Sequence, residues 1–239
     1  MTLFTDIETV PKYNPSNVPD DELSAYESRF SSQIKESNLL PLEHYRQNAA
    51  LYAEFNKIVS ICVGRVDGEN IKLKIISGRH EKNILSEFCK IVSANKSIDL
   101  VAHNGMDFDF PVLRRRLMIN NIPLPEILDV AEKKPWDIRL RDTMIMWSAP
   151  QWKYKVSLSV LCHCLGLPNP KREMSGSDVA TLFYSMFDGV GVSELPFDSE
   201  DAALQKIGQY NSMDVFALMN CYFRMTYHPI FSENQIVYV

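Results

Sequence analysis

The chain has 239 residues, 46% of them apolar and 23% charged, and a net charge of −5. That length suits one substantial α/β domain, and the composition is that of a folded chain rather than a disordered one. The longest apolar runs, at residues 58–63 and 98–102, fall far short of the roughly 20 residues a membrane span requires, and the acidic balance argues against a protein that grips long duplexes through a broad basic surface.

Met1 leads directly into a strand-like segment without a basic flank, so no leader is expected. The five cysteines, Cys62, Cys89, Cys162, Cys164 and Cys221, are odd in number and mostly set in apolar stretches, which predicts free, buried thiols in a reducing, cytoplasmic setting. Cys162-His163-Cys164 lacks both CxxC spacing and a distant second pair of ligands, so packing is expected there rather than zinc.

In chain order, residues 2–8 read as a buried first strand stopped by Pro11. Residues 12–56 are polar, lack strand alternation and carry helical spacing at Leu39, Leu42, Tyr45, Ala49 and Tyr52, which predicts an insertion of one or two helices. Residues 57–66 and 70–77, joined by Asp67-Gly68-Glu69, form the strongest hairpin signal and should pair antiparallel beside the first strand. A helix is expected over 81–92, a strand over 98–103, and a helix from about residue 110 with Pro111 in its first turn. A weaker strand over 137–146 and helices over 157–165, 177–186 and 199–225 complete a single domain spanning 1–239. This order suits a mixed sheet with helices on both faces.

Three segments carry candidate chemistry. The first strand ends in Thr5-Asp6-Ile7-Glu8-Thr9. Residues two apart on a strand share a face, so Asp6 and Glu8 lie side by side, a costly arrangement unless a cation neutralises them. Hard oxygen ligands of this kind favour Mg²⁺ or Mn²⁺. The second segment is His103-Asn104-Gly105-Met106-Asp107-Phe108-Asp109-Phe110, at the turn between a buried strand and a helix. There Asp107 and Asp109 compete for a functional role, and either is also a plausible helix cap. The third is Tyr210-Asn211-Ser212-Met213-Asp214, in which tyrosine and aspartate four apart share one helical face.

In this order and on these elements, the segments resemble the DEDD superfamily of 3′–5′ exonucleases, in its tyrosine branch. The first is similar to its DxE motif, the second to its Nx(2–3)FD motif through Asn104, Phe108 and Asp109, and the third to its YxxxD motif. The FD pair selects Asp109 over Asp107, and Gln209 stands where the histidine branch carries its histidine. The chain is most similar to predicted stand-alone exonucleases related to the exonuclease domain of family B DNA polymerases. That likeness extends to Lys57-Ile58-Val59-Ser60-Ile61 and to residues 158–179, with Gly166-Leu167-Pro168, Lys171 and Gly176-Ser177-Asp178-Val179. It covers residues 1–11 and 57–226 and says little about 12–56.

The resemblance implies a ribonuclease H-like fold, a five-stranded mixed sheet with the first strand central. It also implies two Mg²⁺ or Mn²⁺ ions about 3.5–4 Å apart. Asp6, Glu8 and Asp214 would hold one, Asp6 would bridge to the other, and Asp109 would contribute directly or through water. Tyr210 would orient the attacking water rather than act as base, since a phenol has a pKa near ~10. The implied substrate is nucleic acid with a free 3′ end, single-stranded DNA favoured over RNA, yielding nucleoside monophosphates; no membrane partner is implied. A non-catalytic nucleic-acid-binding module on the same fold is the alternative from another class, and it is disfavoured because all four carboxylates and the tyrosine are present.

Other residues are open to two readings. Asn104 either holds the terminal nucleotide, with Phe108 beside it, or caps its turn. Arg114, Arg115 and Arg116 are expected on a solvated face, with one available for substrate phosphate. Lys153, Lys155, Lys171 and Arg172 are candidates for a basic rim. Asp142 and Asp178 read as supporting or helix-capping carboxylates, and Phe4, Phe110, Trp136 and Trp147 as core.

Overall fold

The computed structural model describes residues 1–95, 97–151, 154–168, 174, 176–185 and 200–239. Its strands are β1 (Thr2–Pro11), β2 (Asn56–Asp67), β3 (Asn70–Ser77), β4 (Asp99–Ala102), β5 (Leu140–Asp142) and β6 (Ile236–Tyr238). They form one six-stranded sheet in the order β5-β4-β1-β2-β3-β6. β1 is antiparallel to β2 and parallel to β4. The 57–77 hairpin forms as expected, with Gly68 in the left-handed region at φ 63° to close its turn.

Two corrections concern the sheet. A sixth strand, β6, pairs parallel with β3 from Ile71↔Ile236 to Leu73↔Tyr238; at this length it offers no alternation by which the sequence could announce it. The strand expected over 137–146 is only Leu140–Asp142. It stops because the Asp142 side chain accepts a hydrogen bond from the Met144 N–H, 2.8 Å away, and so caps a short helix, α5 (Thr143–Ser148).

The remaining helices are α1 (Asp20–Ser37), α2 (Pro41–Asn48), α3 (Glu81–Ser93), α4 (Asp109–Ile119), α6 (Leu158–Cys164), α7 (Gly176–Ser185) and α8 (Glu200–Met225). The expected helix limits at residues 186 and 199 lie outside the described residues. In the 12–56 segment, Tyr26, Phe30, Tyr45 and Phe55 make a separate aromatic cluster. The Tyr26 hydroxyl lies 2.8 Å from His44 Nδ1 within it.

β1 divides the main core by strand parity. Leu3 and Ile7 point to one face, where they pack with Ile84, Leu85 and Phe88 of α3 and Leu113 and Leu117 of α4. Phe4 points to the other face, against Val215, Phe216 and Met219 of α8. Asp6 and Glu8 share the parity of Phe4, so they too face α8. That helix comes close to the sheet: a Cβ added at Gly208 would lie 2.5 Å from Ile75 Cγ2, and one at Gly64 2.8 Å from Val215 Cγ1. Glycine at these positions permits the approach that carries α8 across the β1 carboxylates.

Three expectations about side chains are also corrected. All five cysteines are free, but Cys164, at the C-terminal end of α6, is exposed and Cys89 is only partly buried. Phe4 and Phe110 are core, but Trp136 is 77% exposed and Trp147 is 38% exposed. Trp136 sits on a 3₁₀ turn, Pro135–Asp137, that lies on the surface, and Trp147 on the short surface helix α5. Arg116 is not on a solvated face. It is buried, and its Nε and Nη2 donate to the two Glu81 oxygens at 2.8 and 2.5 Å. Glu81 also accepts from the Ile58 N–H and from Asn120 Nδ2. This network ties α3 and α4 to β2.

Candidate active site

The site assembles from β1, the N-terminus of α4 and the middle of α8. Asp6 lies opposite Cys62 and Glu8 opposite Ser60 across the β1–β2 ladder, with a register shift just after Glu8. Parallel pairing with β4 ends at Phe4↔Val101, so β1 runs past its partner strand, and the start of α4 reaches the stretch beyond. There the Asp109 carboxylate comes near enough to the Ile7 backbone N–H to be stabilised by it.

α8 brings Asp214 to the same place. One oxygen each of Asp6, Glu8 and Asp214 lies within 4.8 Å of the other two. Glu8 and Asp214 are buried. Asp109 stands outside that closest group, but its charge is near enough to push the Asp6 carboxyl upward. Burial is the main cause of the Asp6 shift, followed by the charges of Asp109, Glu8 and Asp214; the Asn211 hydrogen bond opposes them. Burial also pushes Asp109 up to about 7, with the charge of Asp142 adding to it, while the N–H groups of Asp109 and Ile7 pull it down.

These groups fit a hard divalent cation. Every donor is a carboxylate oxygen, their mutual repulsion and burial are what a cation would relieve, and Asp109 Oδ1 is buried with no hydrogen-bond partner.

The turn before α4 is held from outside. Asn104 adopts the left-handed conformation at φ 58°. Its N–H and that of Met106 donate to the two Asp142 oxygens at 2.9 and 3.0 Å. The Asn104 carbonyl accepts from the Asp107 and Phe108 N–H groups, and Phe108 packs half-buried on the α3/α4 core. A Cβ at Gly105 would lie 2.5 Å from the Ala102 Cβ, which leaves glycine as the fit there. The two aspartates of this segment part ways: Asp109 is 2% exposed, whereas Asp107 points outward and pairs with Lys155 at 3.2 Å. His103 braces the end of β4 through Thr143 Oγ1 and the Val156 carbonyl, each at 2.9 Å.

Burial first, and then the charges of Asp214, Glu8 and Asp6, hold the Tyr210 hydroxyl well above the usual phenol range. It therefore stays protonated. Two neighbours outside the three motifs' signature residues join the site. Asn211 Nδ2 donates to Asp6 Oδ2 at 2.6 Å, and Ser60 Oγ donates to Asn211 Oδ1 at 3.1 Å. A helical wheel would have placed Asn211 on the face toward the sheet, but nothing in its spacing names Asp6 as its partner.

Of the other singled-out residues, Arg115 is exposed and reaches Glu54 at 3.9 Å, and Arg114 lines a cavity with Met106, Phe110 and Leu128. Asp178 is exposed on α7. Lys153, Lys171 and Arg172 lie outside the described residues. Among those described, no helix is long and apolar enough to cross a membrane.

A central β1 flanked by an antiparallel hairpin and a parallel edge, with carboxylates gathered where α8 crosses it, defines a ribonuclease H-like α/β protein with an acidic site. Residues 49–233 match the family described as predicted 3′–5′ exonuclease related to the exonuclease domain of PolB, and the chain belongs to that family. Among solved structures it is similar to the family B DNA polymerase from the hyperthermophilic archaeon Pyrobaculum calidifontis, with a TM-score of 0.53 and 15% identity. The alignment covers 91% of this chain and 24% of the polymerase, a likeness of fold over a fraction of the larger protein. No curated protein matches the chain.

Proposed function

We propose that the chain is a divalent-metal-dependent 3′–5′ exonuclease that hydrolyses the terminal phosphodiester of nucleic acid, single-stranded DNA above RNA, and releases nucleoside monophosphates. The observation that carries this reading is the meeting of Asp6, Glu8 and Asp214 within 4.8 Å, with buried Asp109 beside them. In this reading residues 1–239 form one exonuclease domain and the helical 12–56 segment is an insertion in it.

Two Mg²⁺ or Mn²⁺ ions held by Asp6, Glu8, Asp214 and Asp109 would supply acidity to the attacking water and charge stabilisation to the leaving 3′ oxygen. The protein's own groups do the rest. Tyr210, held in its protonated form one helical turn from Asp214, can hydrogen-bond the attacking water and so fix its direction of attack on phosphorus. Asp142 sets the turn in which Asn104 and Phe108 lie, where they can contact the terminal nucleotide. The bond formed is water oxygen to phosphorus, and the bond broken is phosphorus to the 3′ oxygen of the preceding nucleotide, which leaves with a proton.

The test is incubation of 5′-labelled single-stranded DNA, duplex DNA and RNA with Mn²⁺, Mg²⁺ or EDTA. Expected is a ladder shortening by one nucleotide at a time, fastest on single-stranded DNA and absent in EDTA. Turnover that survives exhaustive chelation would overturn the metal dependence, and a faster RNA ladder would move the substrate assignment to RNA.

A further inference from the structure

We propose that Asn211 is a positioning residue for Asp6, held in turn by Ser60, so that one Asp6 oxygen is fixed and the other is kept for a cation. This rests on the metal-dependent reading of the site and adds a role to a residue outside its carboxylates.

The geometry is a chain of three side chains across three elements. Asn211 on α8 and Ser60 on β2 are both fully buried. Ser60 Oγ donates to Asn211 Oδ1, and Asn211 Nδ2 donates to Asp6 Oδ2. An ionised carboxylate only accepts, so Asp6 requires the amide nitrogen of Asn211 to face it. Ser60, by donating to the amide oxygen, occupies the other end of the amide and holds that orientation. A carboxylate with one oxygen tied down loses its rotamer freedom before a cation arrives, and Asp6 Oδ1 is left as the ligand atom.

The arrangement also couples the strands to the helix. Ser60 lies directly opposite Glu8 in the β1–β2 ladder, and Asn211 is one turn before Asp214 on α8. The residues that orient Asp6 are therefore near neighbours of Glu8 and Asp214, and a shift of α8 along its axis would displace Asn211 and Asp214 together.

The bland alternative is a buried amide that only satisfies its own hydrogen bonds. Mn²⁺ binding separates the two. The full chain, Asn211→Ala and Ser60→Ala are titrated with Mn²⁺ by calorimetry or electron paramagnetic resonance, with melting temperature and steady-state kinetics measured in parallel. The expected result is Mn²⁺ affinity roughly 10–100-fold weaker in Asn211→Ala, a smaller weakening in Ser60→Ala, and a fall in kcat with KM for the oligonucleotide unchanged. A lowered melting temperature with wild-type Mn²⁺ affinity and kcat would overturn the proposal. Should Asn211→Ala fail to fold, Ser60→Ala carries the test: weakened Mn²⁺ binding supports the chain of contacts, and unchanged binding overturns it. A wild-type chain that binds no Mn²⁺ would overturn the metal reading itself, which is distinct because all proteins then give the same flat titration.

Discussion

Tyr210 and Asp214 stand one helical turn apart on α8, and after burial it is the charge of the second that does most to hold the phenol of the first above its usual range. The hydroxyl therefore keeps its proton near neutrality, where it can position a water but cannot serve as a base.

Tyr210→Phe removes that one hydroxyl and keeps the ring. The expected loss is about 10–1000-fold in kcat, the size of one positioning group, with Mn²⁺ affinity close to wild type. The pH–rate profile should rise through neutrality without an imidazole inflection near ~6.5. Steady-state kinetics across pH check both, and wild-type turnover in the variant would remove Tyr210 from the mechanism.

Asp109 and Asp107 make an internal control two residues apart. Asp109→Asn, at a buried position beside Asp6, should lower kcat by orders of magnitude, while Asp107→Ala loses only an exposed pairing with Lys155 and should retain most activity. Exposed ion pairs of this kind contribute about 0–1 kcal/mol, so neither folding nor turnover should suffer. The reverse ranking would show that the catalytic position in this turn has been misassigned.

The raised carboxyl of Asp109 sets a pH dependence for the metal-free protein. Its folded pKa is about 7 against an ordinary 3.8, so between those values the folded state holds the proton more tightly than the unfolded state does. Stability then falls as pH rises through that window, and the upward shift of Asp6 acts in the same direction. Thermal melts in EDTA should give a lower melting temperature at pH 7 than at pH 5, with a smaller difference in Asp109→Asn. Added Mn²⁺ should restore stability most at the higher pH, because binding displaces protons. An EDTA melting temperature that climbs from pH 5 to pH 7 would contradict this.

Arg116 and Glu81 are a buried pair whose loss should be structural. Removing one partner of such a pair leaves a buried charge and costs about 3–5 kcal/mol. Urea unfolding of Arg116→Ala should register that loss, whereas Arg115→Ala, on the exposed side of the same helix, should change little. Equal effects would mean the pair is not the tie between α3, α4 and β2.

Much of this was legible in the chain because it rests on short-range periodicity. The two-residue repeat put Asp6 and Glu8 on one face, the four-residue spacing joined Tyr210 to Asp214, and Asp67-Gly68-Glu69 announced the hairpin. What escaped depends on contacts between distant segments. Arg116 reads as one of three surface arginines until Glu81, on another helix, is brought beside it. Asn211 is an ordinary helical polar residue until Asp6 and Ser60 are known to face it. β6 has too few residues to show a pattern, and the 137–146 stretch is strand only at its centre because Asp142, a strand residue by its neighbours, caps the next helix. Trp136 and Trp147 read as core from their aromatic character, but burial is decided by where their short elements lie.

The most direct test of the central claim uses a single-stranded oligonucleotide carrying its label in the 3′-terminal nucleotide, with wild-type protein and Asp6→Asn compared in Mn²⁺. The wild type should release the label as a mononucleotide from the first turnover, and Asp6→Asn should release essentially none while remaining folded. Label retained in an oligonucleotide fragment, or equal release by Asp6→Asn, would contradict a 3′–5′ exonuclease centred on these carboxylates.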